Sequence, residues 1–372
     1  MQKINIKNSN GVKLIYCTSI AFSDKLAHRV QIAAMAREFQ KKLGENFYLG
    51  VNYINQDDKN IKIVCFNDAK SYSLSWKYLK FIKKNKIDFV YCREAKLLFF
   101  IFLYNKFFFR NKSRFIYEIH SLAEKNVLDK ILNRLFCFWV DKYVFITNEL
   151  KNIYFEKYSY DLKKGIVFPD AVDLARFNID VSKEDARQQL DLPQDKKIIA
   201  YAGSFLLHSW KGIDILLKSA KQFSDDFLFV FVGGTKKEIA NIRSQYPSDN
   251  VLLIVQKPNS QIPLYLKAAD VLVLPNKKGE DISEKYTSPL KMFEYMASRR
   301  PIVASNLPSI REILNDQNSI LVQPNEPQKL AQGIKKAMAP EVSEKISQQA
   351  FQDVRNYTWE KRVDEILKFI QM

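Results

Sequence analysis

Between residues 284 and 297 the chain reads Glu-Lys-Tyr-Thr-Ser-Pro-Leu-Lys-Met-Phe-Glu-Tyr-Met-Ala, which joins the signals of a helix start to charges that do not suit one. Ser288 and Pro289 are the cap and first-turn pair that opens a helix, with Pro where a missing N–H is no loss. Lys291 then falls in the first turn, where the positive end of the helix dipole repels it. An anion held on the free N–H groups would turn Lys285 and Lys291 into ligands, and phosphate is the natural candidate. At about 100° per residue Leu290, Phe293 and Ala297 form the apolar stripe, and Glu294 lies about 40° from Leu290. A carboxylate on or beside a buried face needs a partner, either a neighbouring Lys or Arg or something brought from outside.

A second set of groups precedes it. The apolar run 198–203 ends in Ala-Gly-Ser, and Trp210-Lys211-Gly212 follows a short loop and starts a helix. Strand, small-residue turn and helix with Lys at its mouth can hold phosphate, with Gly203 allowing close backbone approach. The spacing is not that of a Walker loop. Two cation-bearing, N–H-rich loops in one domain suit a diphosphate. His120 follows the apolar run 115–119 and is expected at a strand's carboxyl tip, where it can hydrogen-bond a sugar or relay a proton near neutral pH. His28, at the start of the first helix, is placed similarly, and His208 is less clearly placed. No D-x-D occurs, and Asp57-Asp58 and Asp225-Asp226 stand in turn-like contexts, so no obvious carboxylates hold a divalent metal. Lys211, Lys291 and helix N-termini would have to neutralise a leaving diphosphate instead. A serine hydrolase is disfavoured, because no G-x-S-x-G elbow is present.

These groups need elements to position them. Apolar runs at 13–19, 47–54, 88–92, 114–118, 141–146 and 165–168 alternate with amphipathic stretches, the βαβα signature of a parallel sheet covered on both faces. The pattern restarts after a turn at 191–195, with runs at 198–203, 227–233, 251–255, 271–275, 302–305 and 319–322. This predicts two successive doubly wound α/β domains, joined near residues 170–190 and forming a cleft, with ligands at the carboxyl ends of the strands.

At 372 residues the chain is long enough for two such cores. Of its net charge of +17, residues 1–178 hold +14 (31 Lys and Arg against 17 Asp and Glu) and residues 179–372 hold +3 (27 against 24). The basic half, with clusters at 70–86 and 106–114, could face anionic lipid, a phosphorylated acceptor or nucleic acid. Cys17, Cys65, Cys92 and Cys137 are widely spaced, as in a reduced cytoplasmic protein. The first residues lack a basic-then-apolar export pattern. The most apolar run, 97–104 and 107–109, is broken by Asn105 and Lys106 and is too short for a transmembrane helix.

The segment Tyr286-Thr-Ser-Pro-Leu-Lys-Met-Phe-Glu-Tyr-Met-Ala-Ser-Arg-Arg-Pro-Ile-Val-Ala-Ser-Asn-Leu-Pro-Ser-Ile-Arg-Glu resembles the nucleotide-sugar site of GT-B glycosyltransferases of the family 4 type. The likeness extends to Gly203, the Lys211-Gly212 loop, Ala268-Ala-Asp-Val-Leu-Val-Leu-Pro275, the linker 169–177 and the closing Tyr357-Thr-Trp-Glu-Lys-Arg-Val363. It implies the GT-B fold: two Rossmann-like domains, 1–178 for the acceptor and 179–356 for the nucleotide-sugar, with a C-terminal helix in 357–372 crossing back to the first. It further implies that Glu294 binds the ribose hydroxyls. Lys211 and the backbone of Ser288, Pro289 and Leu290 would bind the donor diphosphate, with Gly203, Ser204, Tyr286 and Thr287 completing the donor site. His120 would approach the sugar, so that His120, Lys211 and Glu294 carry the chemistry.

Members of the family transfer with retention and generally without metal or cofactor, the leaving phosphate taking the acceptor's proton. The implied partners are a nucleotide-sugar donor and a lipid-linked or glycan acceptor at an anionic membrane surface, on the cytoplasmic face, in cell-surface polysaccharide or lipopolysaccharide assembly. The chain departs from the pattern in three places. Tyr286 stands where the family's E-x7-E would put Glu, leaving Glu280 or Glu284 as substitutes; Ser204 stands where Arg is frequent; and 21–28 replaces a glycine-rich loop. A sugar-nucleotide epimerase and a basic nucleic-acid-binding protein are the competing expectations, the second without any recognised motif.

Overall fold

The structure, a computed structural model, describes residues 11–22, 27–54, 58–68, 70–122, 127–205, 207 and 209–372. His208 and residues 23–26 of the expected first loop lie outside the described residues. The chain divides into two compact units, Met1–Pro169 with Trp359–Met372, and Asp170–Thr358.

Unit 1 is built on a seven-stranded parallel sheet. Its strands are β1 Leu14–Cys17, β2 Phe47–Val51, β3 Ile63–Cys65, β4 Phe89–Cys92, β5 Arg114–Ile119, β6 Lys142–Phe145 and β7 Gly165–Val167, in spatial order β3-β2-β1-β4-β5-β6-β7. β1 and β4 are buried at every residue, which only a sheet covered on both faces requires. Helices α1 Ala27–Leu43, α2 Ser71–Asn85, α3 Ala95–Tyr104 and α4 Val127–Trp139 belong to this unit. The apolar run 47–54 is split, because Tyr53–Ile54 leaves the sheet to pair with Ala21–Phe22. β3 escapes notice in the sequence, being three residues long and only half-buried.

Unit 2 carries a six-stranded parallel sheet: β8 Lys197–Ala202, β9 Phe227–Gly234, β10 Val251–Val255, β11 Val271–Leu274, β12 Ile302–Ser305 and β13 Ile320–Val322, in order β10-β9-β8-β11-β12-β13. Two helices concern the site, α5 Ile213–Ala220 and α6 Leu290–Ala297. Asp270, just before β11, accepts from the Ile198 N–H (2.7 Å) and pairs with Lys183 and Arg187, which locks the two central strands at their amino ends.

The chain returns to unit 1 through α7, Trp359–Gln371. Its Arg362 is buried and donates from Nη2 to Glu118 Oε1 (2.7 Å) and to the Phe168 carbonyl, and from Nε to the Pro169 carbonyl (2.8 Å). Glu118, on β5, has no exposed surface. Removing one member of a buried pair leaves the other charge uncompensated, at a cost of about 3–5 kcal/mol. Arg362→Met is therefore expected to lower the unfolding free energy of unit 1 by about that amount in urea titration.

Candidate functional site

The strand order reverses direction between β8 and β11, so the loops leaving these two central strands are neighbours at the carboxyl edge of the sheet. The first loop holds Gly203, Ser204 and Lys211; the second runs from Pro275 to Pro289. They are fastened together. Lys277 N–H donates to the Trp210 carbonyl (2.8 Å), and Lys277 Nζ pairs with Asp214 of α5 (3.2 Å). Gly212 caps α5 at φ +67°, and a Cβ there would lie 1.8 Å from the Pro275 carbonyl oxygen. Only glycine lets these loops approach so closely.

α6 closes the edge from below. Met292, Phe293 and Met296 are fully buried and join the core with Ile198, Ala200 and Ala202 of β8. The Tyr295 hydroxyl accepts from the Ala202 N–H (2.8 Å), fixing the helix beneath the strand end. Lys291 Nζ sits 4.0 Å from the centre of the Tyr201 ring, out of solvent, with no hydrogen-bond partner among the described residues. Burial, and then the nearby Lys211, push the Lys291 ammonium well below its ordinary range, against the pull of Glu294. Lys211 is half-buried, its Nζ hydrogen-bonded to Ser204 Oγ, and burial lowers its pKa too.

Glu294 is half-buried and makes neither a hydrogen bond nor an ion pair with a described residue. Burial pushes its carboxyl up to about 7, although Arg176 and Lys291 pull it down. The edge thus carries two cations and one carboxylate that the fold holds in place and leaves electrostatically unmatched. Such groups mark places where an outside charge completes the balance.

In unit 1, β5 ends at His120 beside a fully matched network. Glu118 accepts from Tyr91 Oη (2.8 Å), Gln31 Nε2 (3.1 Å), Arg362 and His120 Nε2 (3.0 Å). Although burial opposes it, Arg362 and then His120 hold the Glu118 carboxyl well below the usual carboxylate range. His120 Nε2 therefore carries the proton, and Nδ1 is the acceptor. Burial and then Arg93 push the His120 pKa down to about 4, so the ring is neutral near pH 7.

Residues 182–353, which include both loops and α6, match the family model described as glycosyl transferases group 1. Across these residues the chain is similar to that family. It is 28% identical over 169 residues to a Bacillus subtilis (strain 168) protein named as the teichuronic acid biosynthesis glycosyltransferase TuaC, covering 45% of this chain and 40% of that one. A second relative, from Escherichia coli (strain K12) and named as the colanic acid biosynthesis glycosyl transferase WcaI, is 28% identical over 145 residues, 38% of this chain and 35% of its own length. The chain therefore aligns with well under half the length of these curated relatives. Among solved structures, HepE of Anabaena in complex with UDP and glucose superposes at a TM-score of 0.77 with 16% identity, over 97% of this chain and 99% of that one. The fold is GT-B.

Within this family frame, several sequence-based expectations change. Ser288 does not cap α6. The helix starts at Leu290 with Pro289 at its cap position and no side-chain cap, because a residue preceding Pro is driven to extended backbone. The Ser288 hydroxyl instead accepts from the Asp170 N–H (3.0 Å), tying the second loop to the start of unit 2. Glu294 does not take the neighbouring Lys or Arg that was one of its two expected partners. Lys285 pairs with Asp281 (2.9 Å) on a π-helical turn, Ile282–Tyr286, and is not held ready for an anion. Of the two substitutes for the family's Glu, Glu284 accepts from the Gly279 N–H (2.7 Å) and Glu280 is exposed. Tyr286 Oη reaches Asp281 (3.4 Å), and Thr287 is buried.

Asn276 was missed by sequence reasoning. Both its amide atoms are buried without a described partner, as is Ser283 Oγ. The available signal was a polar residue directly after Pro275, where an apolar strand ends at the point of reversal.

The unmatched carboxylate gives a sign for pH dependence. Glu294 titrates near 7 in the folded chain against 4.5 ordinarily, so the folded state binds the extra proton and stability falls as pH rises from about 4.5 to 7. Glu294→Gln lacks this loss. Chemical denaturation of the unliganded protein should find the variant more stable than wild type at pH 8, by on the order of 2 kcal/mol, with the gap closing near pH 4.

Proposed function

We propose that the chain is a glycosyltransferase that moves a sugar from a nucleotide-diphosphate sugar to a lipid-linked or glycan acceptor at an anionic membrane surface. The observation that carries this reading is the pairing, at one strand edge of unit 2, of unmatched cations with an unmatched carboxylate. A diphosphate at Lys211 and the uncapped start of α6 would supply the missing negative charge, which helix N–H groups also favour. Glu294, ionised, can accept from two adjacent ribose hydroxyls at once. Gly203 and Ser204 line the approach to the phosphates, with Tyr286, Thr287 and the Ser288 to Leu290 backbone opposite. UDP in the HepE complex supports the nucleotide class by fold likeness.

In this reading transfer proceeds with retention and needs neither metal nor cofactor. Lys211 stabilises the leaving diphosphate, whose oxygen takes the acceptor's proton, and the neutral His120 accepts a hydrogen bond from a sugar hydroxyl through Nδ1. The relatives named for teichuronic and colanic acid biosynthesis support a role in assembling cell-surface polysaccharide or lipopolysaccharide on the cytoplasmic face of the membrane. Among the described residues no helix is long and apolar enough to cross a membrane, so attachment would be peripheral.

A panel of nucleotide-sugars read by thermal shift identifies the donor through stabilisation on binding. Calorimetry with the hit should then show Lys211→Ala and Glu294→Ala each weakening binding by about tenfold or more, the value of a hydrogen bond to a charged group. Unchanged affinity in both variants would remove the site assignment.

A further inference from the structure

Unit 1 exposes aromatic side chains on a surface that its core does not explain. α3 runs into a π-helical turn, Asn105–Phe109, on which Phe107 and Phe108 are 62% and 64% exposed, and on α4 Phe138 is 79% exposed. The two sites adjoin. Lys106 Nζ lies 5.7 Å from the Trp139 ring, Trp139 stacks on Phe102 of α3 (4.5 Å), and Trp76 of α2 packs against Phe108 and Phe109 (5.5 and 4.9 Å). Trp76 and Trp139 thus underlie an outward layer of phenylalanines.

The charge around this layer is predominantly positive. Residues 95–114 contain five Lys and Arg and no Asp or Glu, and residues 70–114 contain twelve against two, a net of +10 out of the chain's +17. Lys106 and Arg110 are exposed at either side of Phe107 and Phe108. Apolar rings that stand out from long cationic side chains are suited to an interface whose depth is hydrocarbon and whose surface is anionic. A protein partner would call for the rings and not for so large a positive field, and nucleic acid for aromatics interleaved with the cations as a stacking surface and not for an apolar run.

We propose that this face, centred on Phe107, Phe108 and Phe138 with Lys106 and Arg110, docks on an anionic lipid bilayer, the phenylalanines entering at the headgroup boundary. It deepens the reading above by giving the membrane contact a surface, and rests on that reading only for the lipid-borne acceptor.

The test uses the full chain and vesicles of phosphatidylcholine with or without phosphatidylglycerol. Co-sedimentation should require phosphatidylglycerol and weaken with salt, and Trp fluorescence should be quenched by brominated acyl chains. The triple variant Phe107→Ser, Phe108→Ser, Phe138→Ser should lower vesicle partitioning by about tenfold or more, as should Lys106→Glu with Arg110→Glu, while nucleotide affinity stays at the wild-type value and shows the variants folded. Lys211→Ala should do the reverse, losing nucleotide and keeping vesicles, which separates failure of this proposal from failure of the donor site. Wild-type protein that ignores anionic vesicles, a triple variant that binds them equally well, or phenylalanines that serve only to hold two copies together in sedimentation would overturn it.

Discussion

Unit 2 depends on half-buried charges gathered at one sheet edge without an ion pair between them. Lys291 lies over an aromatic ring with no hydrogen-bond partner among the described residues, Lys211 has a serine hydroxyl and the Trp210 ring (5.5 Å), and Glu294 pairs with neither. Desolvating charge without a partner costs stability that an ordinary fold would not forgo. Unit 1 supplies the contrast, for Glu118 there is surrounded by donors from four residues and holds α7 in place. One sheet uses its buried carboxylate as a fastening, and the other leaves its carboxylate open.

Topology explains where the open charge lies. In a doubly wound sheet two successive crossovers depart in opposite directions from the central strands, and the loops above them have no helix between them. In unit 2 that place is the carboxyl edge of β8 and β11, narrowed because Gly212 and Gly233 have positive φ and admit the Pro275 and Gly203 backbone where a Cβ would collide. α6 is pinned there by Tyr295 and by its buried methionines, so that Lys291 and Glu294 are presented by a rigid element and not by a loop.

Much of this was legible in the sequence. Continuous apolar runs of parallel strands announced both sheets, and the misfit of Lys291 and Glu294 with a simple amphipathic helix pointed to the candidate site. What was not legible depended on tertiary geometry. Ser288 reads as a cap until Pro289 forces the preceding backbone to extend and Asp170 supplies an N–H from more than a hundred residues away. Lys285 reads as a ligand until a π-helical turn sets it beside Asp281. Asn276 offers only its place after Pro275 as a local signal, since its isolation comes from burial. The residues that misled were those whose partners are set by the turn they occupy or by distant chain.

If the unmatched cations await a diphosphate, binding must change their protonation. Calorimetric titration of UDP or GDP at pH 8, repeated in buffers of different ionisation enthalpy, reads that change directly. Net proton uptake is expected on binding, because the anionic diphosphate reverses the depression of Lys291, and Lys291→Met should sharply reduce it. Binding heats independent of buffer, or uptake undiminished in the Lys291→Met protein, would contradict it.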